Sequence, residues 1–351
     1  MTYLGFSEST IRWFECYLSN RAFIVNINDK FSQLGNVSCG VPQGSILGPI
    51  LFLLYVNDMP QAISSKLLLY ADDSCLLFQH KEVKTIEQQL NKDFANLCDW
   101  FVDNKLSVHF GKDKTKSILF TSKRKLKKGN SLNILYNDIE ITQYPKVSYL
   151  GCILDETLSG ESMCLKVIEK INTKLRFLYR KNKFLTPTLR RMLCNAIIQP
   201  HFDYACLTWY SGLTKALKNK IQVMQNKCIR FCLSLKNLDH IGKKEFEKID
   251  WLNTNDRFLQ CICSAAFNFF HKNCPEYMTE IFHTAFQGNI DTRSSFLKLR
   301  QPFRKTNMGQ NTISFLGPQQ WNKLPKSIKD SGTINTFKHK LKRFFFDILE
   351  K

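Results

Sequence analysis

The spacing of apolar residues changes period along the first 160 positions, and each change marks an element. Ile11, Phe14 and Leu18 recur at helical spacing behind Ser7, so SESTIRWFECYLSNR reads as an amphipathic helix with Ser7 as its N-cap. Residues 23–27 and 31–37 flank the turn-forming Asn28, Asp29 and Lys30, which predicts a short hairpin. The Gly- and Pro-rich GVPQGSILGP leads as a loop into an apolar helix over 50–56, ended by residues 57–60. Residues 67–78, LLLYADDSCLLF, are two apolar runs joined by an aspartate pair, the pattern of a buried hairpin with acids at its turn. Leu90, Phe94, Leu97 and Phe101 place a helix over 87–101; a strand is expected over 117–121 and a basic loop over 123–128.

Beyond residue 160 the pattern is helical. Leu165, Ile168, Ile171, Leu175 and Leu178 form one stripe over 161–183, while Lys166, Lys170 and Lys174 fall at i, i+4 and i+8 on another face. Further helical patterns cover 189–198 and 221–235, and CICSAAFNFFHKNCPEYM opens as an apolar helix that stops before Pro275. A stretch rich in Pro, Asn and Gly over 287–333 precedes a basic terminal helix, and no internal repeat is visible. These patterns predict an α+β fold, antiparallel strands with helices first and a mostly helical remainder, divided at 1–160, 161–235 and 236–351.

Charge changes this picture more than composition does. With 44% hydrophobic residues and 28 Phe among 351 positions, the chain can bury a core and is not a disordered segment. Its net charge of +20 points to a polyanionic partner. Residues 1–150 carry 17 basic and 14 acidic groups, a net of +3, whereas residues 151–351 carry 33 and 16, a net of +17, so the basic surface belongs to the second half. The 13 cysteines are scattered through apolar stretches, as expected of reduced thiols, and no disulfide framework is expected. The apolar run over 46–56 is too short to span a bilayer, and the N-terminus has no charged-then-apolar leader. An intracellular protein without membrane partners is expected, with nucleus and cytoplasm not distinguished.

Two adjacent carboxylates between apolar strands repel each other and resist desolvation unless a cation neutralises them, so Asp72 and Asp73 suggest a divalent metal, with Mg²⁺ suited to such oxygen donors. The alternative is a solvated turn in which the aspartates cap backbone groups. Cys261, Cys263, His271 and Cys274 raise the question of zinc, but a Cys-x-Cys start departs from the usual ligand gap.

Four segments in order resemble one family, and two nearer the C-terminus fit it as well. YADD, Tyr70 to Asp73, looks like the catalytic box of reverse transcriptases. GVPQGSILGPILFLLYVNDM, Gly40 to Met59, is similar to the block before it in non-LTR retrotransposons of the jockey-like group, and NKLSVHFGKDKTKSILF, Asn104 to Phe120, resembles the next block. YLGCILD, Tyr149 to Asp155, resembles the block thought to grip the primer; TRSSFLKL, Thr292 to Leu299, and GPQQWNKLP, Gly317 to Pro325, resemble segments that close such reading frames.

The resemblance implies an RNA-directed DNA polymerase acting on an RNA template, a DNA primer and deoxynucleoside triphosphates through a two-metal Mg²⁺ site. Asp72 and Asp73 match the metal-binding pair, and Tyr70 the residue beside the nucleotide or primer end. Pro42, Gln43 and Gly44 match the nucleotide and template loop, which alone would also serve as a helix lead-in. Lys114 matches a lysine proposed to assist the departing pyrophosphate, or is a solvated surface lysine; Leu150 and Gly151 match the primer grip. Lys166, Lys170 and Lys174 would lie along a duplex backbone, or form a solvated face. In these terms residues 1–160 are part of a polymerase palm, 161–235 a helical thumb and 236–351 a basic C-terminal region. The family also needs a third carboxylate on an earlier palm strand, and because the chain starts at Met1 just before the first helix, that strand is expected to be missing. A catalytically inactive nucleic-acid-binding remnant of the same fold is the competing expectation.

Overall fold

Ser7 caps the first helix as its position requires: its side chain accepts from Thr10 N at 3.3 Å, and α1 runs Glu8–Leu18. In this computed structural model the described residues are 1–111, 114–126, 129, 131–271, 273–276, 278–283 and 298–348. They fall into two units, Met1–Ser117 with Ser131–Gln143, and Ile118–Asn130 with Tyr144–Lys351.

In the first unit, β1 (Arg21–Phe23) pairs with β4 (Gly35–Val37), and β2 (Asn26–Ile27) with β3 (Lys30–Phe31). Asn28 and Asp29 form the intervening turn at φ 50 and 63, a left-handed conformation these side chains tolerate. α2 (Gly48–Tyr55) starts with Pro49 in its first turn, where a missing N–H costs nothing. β5 (Lys66–Tyr70) and β6 (Asp73–Leu77) form a hairpin, α3 spans Val83–Asp103, and β7 (Ile134–Tyr136) pairs with β8 (Ile139–Ile141). Val56, Met59 and Leu97 centre a small core that Leu67 and Leu69 of β5 pack against.

The second unit opens with α4 (Lys123–Leu126) and the β9 (Lys146–Tyr149) and β10 (Cys152–Asp155) hairpin. The helices follow: α5 (Glu161–Arg180), α6 (Pro187–Ile197), α7 (Gln199–Asp203), α8 (Cys206–Trp209), α9 (Lys215–Leu233), α10 (Lys243–Ile249), α11 (Thr254–Phe270) and α12 (Met278–Ile281). Past residues 284–297, which lie outside the description, come α13 (Asn307–Gln310), α14 (Ile313–Lys323), α15 (Lys326–Lys329) and α16 (Ile334–Ile348). α11 serves two cores: Phe258 and Ile262 pack with α5 and α9 residues such as Ile171 and Ile221, while Ala266 and Phe267 pack with Trp321, Phe337 and Leu341. The 3.6-residue period puts apolar side chains on two sides of this helix, so it is buried almost all round.

Several expectations are corrected. The described strands make five two-stranded antiparallel sheets, not one palm sheet; four pairs join strands adjacent in sequence, β1 and β4 pair across the β2–β3 hairpin, and strands of two to five residues offer few ladder bonds to recruit a third. The β5–β6 hairpin is half-buried: Leu67 and Leu69 turn inward while Tyr70 is 64% exposed, the alternation of a sheet covered on one face. Over 117–121 only Ser117 makes a bridge, to Gln143, while Thr121 N donates to Glu156 O, so the backbone bonds are split between partners and no ladder forms. Residues 123–126 are helical, not loop, and Lys127 and Lys128 lie outside the described residues. Between 307 and 329 the Pro- and Gly-containing stretch is largely helical, because Gly317, Pro318 and Trp321 are buried and packing overrides the local breakers. Mixed helix with small antiparallel sheets is compatible with an α+β polymerase. Among the described residues no helix is long and apolar enough to cross a membrane.

Candidate catalytic hairpin and nucleic-acid interface

In the first unit the site is the tip of the β5–β6 hairpin. Tyr70 pairs with Asp73, leaving Ala71 and Asp72 as a two-residue turn with Ala71 at φ 52, a conformation that matches the right-handed twist of the flanking strands. Asp72 and Asp73 are both exposed, and neither side chain has a hydrogen-bond or ion-pair partner among the described residues. They do not cap the turn, so the solvated-cap alternative loses its hydrogen bonds.

The base of the hairpin is fixed by a residue that pattern reading passed over. Asp93 of α3 is fully buried and accepts from Ser64 N at 3.1 Å, Ser65 N at 3.0 Å, the Ser65 hydroxyl and Gln89 Nε2 at 2.9 Å. Burial pushes this carboxyl up, but the hydrogen bonds from Gln89, Ser65 and Ser64 outweigh it and hold it below the ordinary carboxylate range. The signal was present: Asp93 lies three residues after Leu90 and four before Leu97, on the apolar stripe itself.

The other matched residues of this unit stand on their own local supports. Ser45 Oγ donates to Pro42 O at 2.8 Å and accepts from Gly48 N at 3.0 Å, which folds Pro42, Gln43 and Gly44 back onto the start of α2. Gly44 has φ 80 and open space where a Cβ would project. Arg21 donates to Gly40 O at the other end of the loop. Lys114 is exposed in a turn closed by its own N–H to Gly111 O at 2.9 Å, with Lys112 and Asp113 outside the described residues; no bond joins it to Asp72 or Asp73.

A divalent cation suits carboxylate oxygens, and the reverse-transcriptase resemblance implies one. Among the described residues, however, no group of three His, Cys, Asp or Glu side chains stands close enough to hold a metal. Two adjacent carboxylates on a turn do not complete a site by themselves. The zinc question resolves on α11 in a similar way: Cys263 is buried in the core, Cys261 pairs with Cys206, and His271 lies against Phe267 with ring centroids 4.1 Å apart. Residues two apart on a helix point to opposite sides, so these four do not converge.

In the second unit, Leu150 and Gly151 form the β9–β10 turn at φ 46 and 77. Tyr204 donates its hydroxyl to Leu150 O, and Lys166 Nζ donates to Gly151 O at 3.5 Å. Tyr204 is itself placed by Trp209 Nε1, which donates to its carbonyl at 3.0 Å, and the neighbouring Asp203 receives both arms of Arg257 at 2.8 Å. Below the turn, Asp155 accepts from Thr157, Ser159 and Gly160 N–H groups at 3.2, 2.9 and 3.2 Å and leads the chain into α5. Burial raises the Asp155 carboxyl, but the Ser159 and Thr157 bonds prevail and leave it lowered. Lys170 and Lys174 continue the row from Lys166, and His201 of α7 lies near enough that burial, then Lys174 and Lys170, hold its imidazole below its ordinary pKa. Tyr204 and His201, absent from the sequence-based site, thus flank the expected lysine row.

The first unit thus carries a hairpin tipped by Tyr-Ala-Asp-Asp with an ordered Gly-rich loop ahead of it in sequence, and the second a clamped two-residue turn. Residues 2–154 match the family described as Reverse transcriptase (RNA-dependent DNA polymerase). It is 29% identical over 227 residues to the probable RNA-directed DNA polymerase from transposon X-element of Drosophila melanogaster, covering 61% of this chain and 24% of that protein. It is 25% identical over 225 residues to the RNA-directed DNA polymerase from mobile element jockey of the same organism, again covering 61% and 24%. The chain therefore aligns with about a quarter of the length of these relatives.

Proposed function

We propose that this chain is a segment of an RNA-directed DNA polymerase in which Asp72 and Asp73 belong to the metal-binding nucleotidyl-transfer centre, with Mg²⁺ as the ion. The observation that carries this is the pair's placement: two exposed, unpartnered carboxylates at the tip of a hairpin whose base is locked by buried Asp93. Side chains kept free of local bonds and carried on a rigid support can accept an external cation without first breaking a native contact. A complete site needs a further oxygen donor beyond the two seen here, and no catalytic step is assigned to the pair alone.

Around it, Tyr70 and the loop of Pro42, Gln43 and Gly44 would line the nucleotide and template, and Lys114 would meet departing pyrophosphate. Residues 1–160 would be palm, 161–235 thumb and 236–351 a basic C-terminal region. Leu150 and Gly151 would grip the primer, and on the thumb Lys166, Lys170 and Lys174 would bear on the backbone of the RNA–DNA duplex. The net charge of +17 beyond residue 150 supports this side of the reading.

A second reading has one observation in its favour. Because no third ligand joins Asp72 and Asp73 among the described residues, the chain would bind RNA and primer without extending it. Primer extension on an RNA template with Mg²⁺, comparing the chain with an Asp72→Ala, Asp73→Ala double variant, separates the two. Synthesis that disappears in the variant supports the polymerase; no synthesis from either, with RNA affinity retained by both, supports the binding protein.

A further inference from the structure

The β9–β10 turn carries more than its expected role as two matched residues. In a planar trans peptide the C=O and the following N–H point in opposite directions. The carbonyl of Leu150 is turned toward Tyr204, whose hydroxyl donates to it, so the N–H of Gly151, in the same peptide unit, points away from Tyr204. Gly151 is exposed, and no hydrogen bond is donated by the Leu150 or Gly151 N–H among the described residues. The second turn carbonyl, Gly151 O, is taken by Lys166. Both acceptors of the turn are thus engaged from within the protein, and a free donor is left outside. Backbone N–H groups in turns are ready partners for an anion. Beyond Lys166 the row of Lys170 and Lys174 supplies positive charge, with Phe177 next along the same face at 53% exposure.

We propose that Tyr204 is a positioning residue for nucleic-acid binding: by holding the Leu150 carbonyl it orients the Gly151 N–H toward one backbone phosphate of a strand lying along α5. This rests on the proposed placement of primer and duplex along α5. Lys166 has a different part from the one its spacing suggested, since its ammonium braces the turn while Lys170 and Lys174 remain for phosphates. Gly151 suits this arrangement because a Cβ there would stand 3.4 Å from the Tyr204 hydroxyl and at φ 77.

The test uses the full chain and a labelled RNA–DNA hybrid with a recessed DNA 3′ end, in a series where one primer phosphate at a time is replaced by an uncharged methylphosphonate. Affinity is read by fluorescence anisotropy for the native chain, Tyr204→Phe and Lys166→Gln. For the native chain, one position in the series is expected to weaken binding by about tenfold, as for loss of a hydrogen bond to a charged group. In Tyr204→Phe that position should become no more sensitive than its neighbours, with the thermal midpoint unchanged, whereas Lys166→Gln, which leaves the Tyr204 bond to Leu150 O in place, should keep the sensitive position. The proposal is overturned if Tyr204→Phe keeps the same sensitive position, or if it weakens every hybrid equally as a merely structural change would. A native chain that binds no hybrid would remove the nucleic-acid reading itself, an outcome distinct from failure of the Tyr204 variant alone.

Discussion

The buried carboxylate of Asp93 accepts the backbone N–H of Ser65 at 3.0 Å, and through this bond and those from Ser64 N and the Ser65 hydroxyl the middle of α3 fixes the start of the strand that carries the aspartate pair. Changing Asp93 to Asn keeps the size but sets an N–H₂ group against donors, leaving buried groups unsatisfied. A loss of about 1–3 kcal/mol is expected, read as a lower urea midpoint at neutral pH. The pH dependence has a definite sign. Because the folded-state pKa is depressed, the contribution is fully present above the ordinary carboxylate value of about 3.9 and is lost as pH falls through the lower folded value. Acid titration should therefore destabilise the native chain more steeply than Asp93→Asn in that window, and parallel curves would refute the assignment.

Helices were legible from their stripes and the aspartate hairpin from its runs, because burial on one face leaves a period in the sequence. Partnership between hairpins leaves none, so five separate two-stranded sheets could not be told from one palm sheet. Asp93 and Tyr204 act through bonds to residues 28 and 54 positions away, and side-chain bonds to distant backbone have no periodic signature. In α14 the Gly and Pro that read as breakers are core residues: a Cβ on Gly317 would meet Phe282 at 2.3 Å.

Gly160→Ala tests the passage from β10 into α5. A Cβ there would lie 2.0 Å from Trp209 O, and the residue sits at φ 72, so both space and backbone oppose it. A destabilisation of about 2–5 kcal/mol is expected in denaturant unfolding. A neutral result would mean the helix start can move away from Trp209.

Asp72→Asn with Asp73→Asn should leave stability within about 0.5 kcal/mol of the native chain, since both side chains are exposed and unpartnered. Thermal unfolding is the check. A large loss would show that the pair supports the hairpin, and its freedom from structural duty, on which the catalytic proposal rests, would fail.

His201 would give the proposed nucleic-acid surface a pH dependence whose direction follows from its neighbours. Its imidazole is held below its ordinary pKa first by burial and then by Lys174 and Lys170, both on α5, while Asp203 on its own helix is engaged by Arg257. A phosphate strand along α5 would screen the two ammonium groups and relax that depression, so the bound state holds a proton more readily than the free state. Affinity for an RNA–DNA hybrid should then rise as pH falls through the ordinary imidazole value of about 6.5 toward the lower free-state value, and His201→Gln should flatten this rise without shifting the thermal midpoint. Lys170→Gln and Lys174→Gln should each reduce the slope of log affinity against log salt by about one, as expected for one phosphate contact apiece. Should either lysine change leave the slope intact while His201→Gln still flattens the pH profile, the phosphates lie on the α7 side of this surface and not along the α5 row.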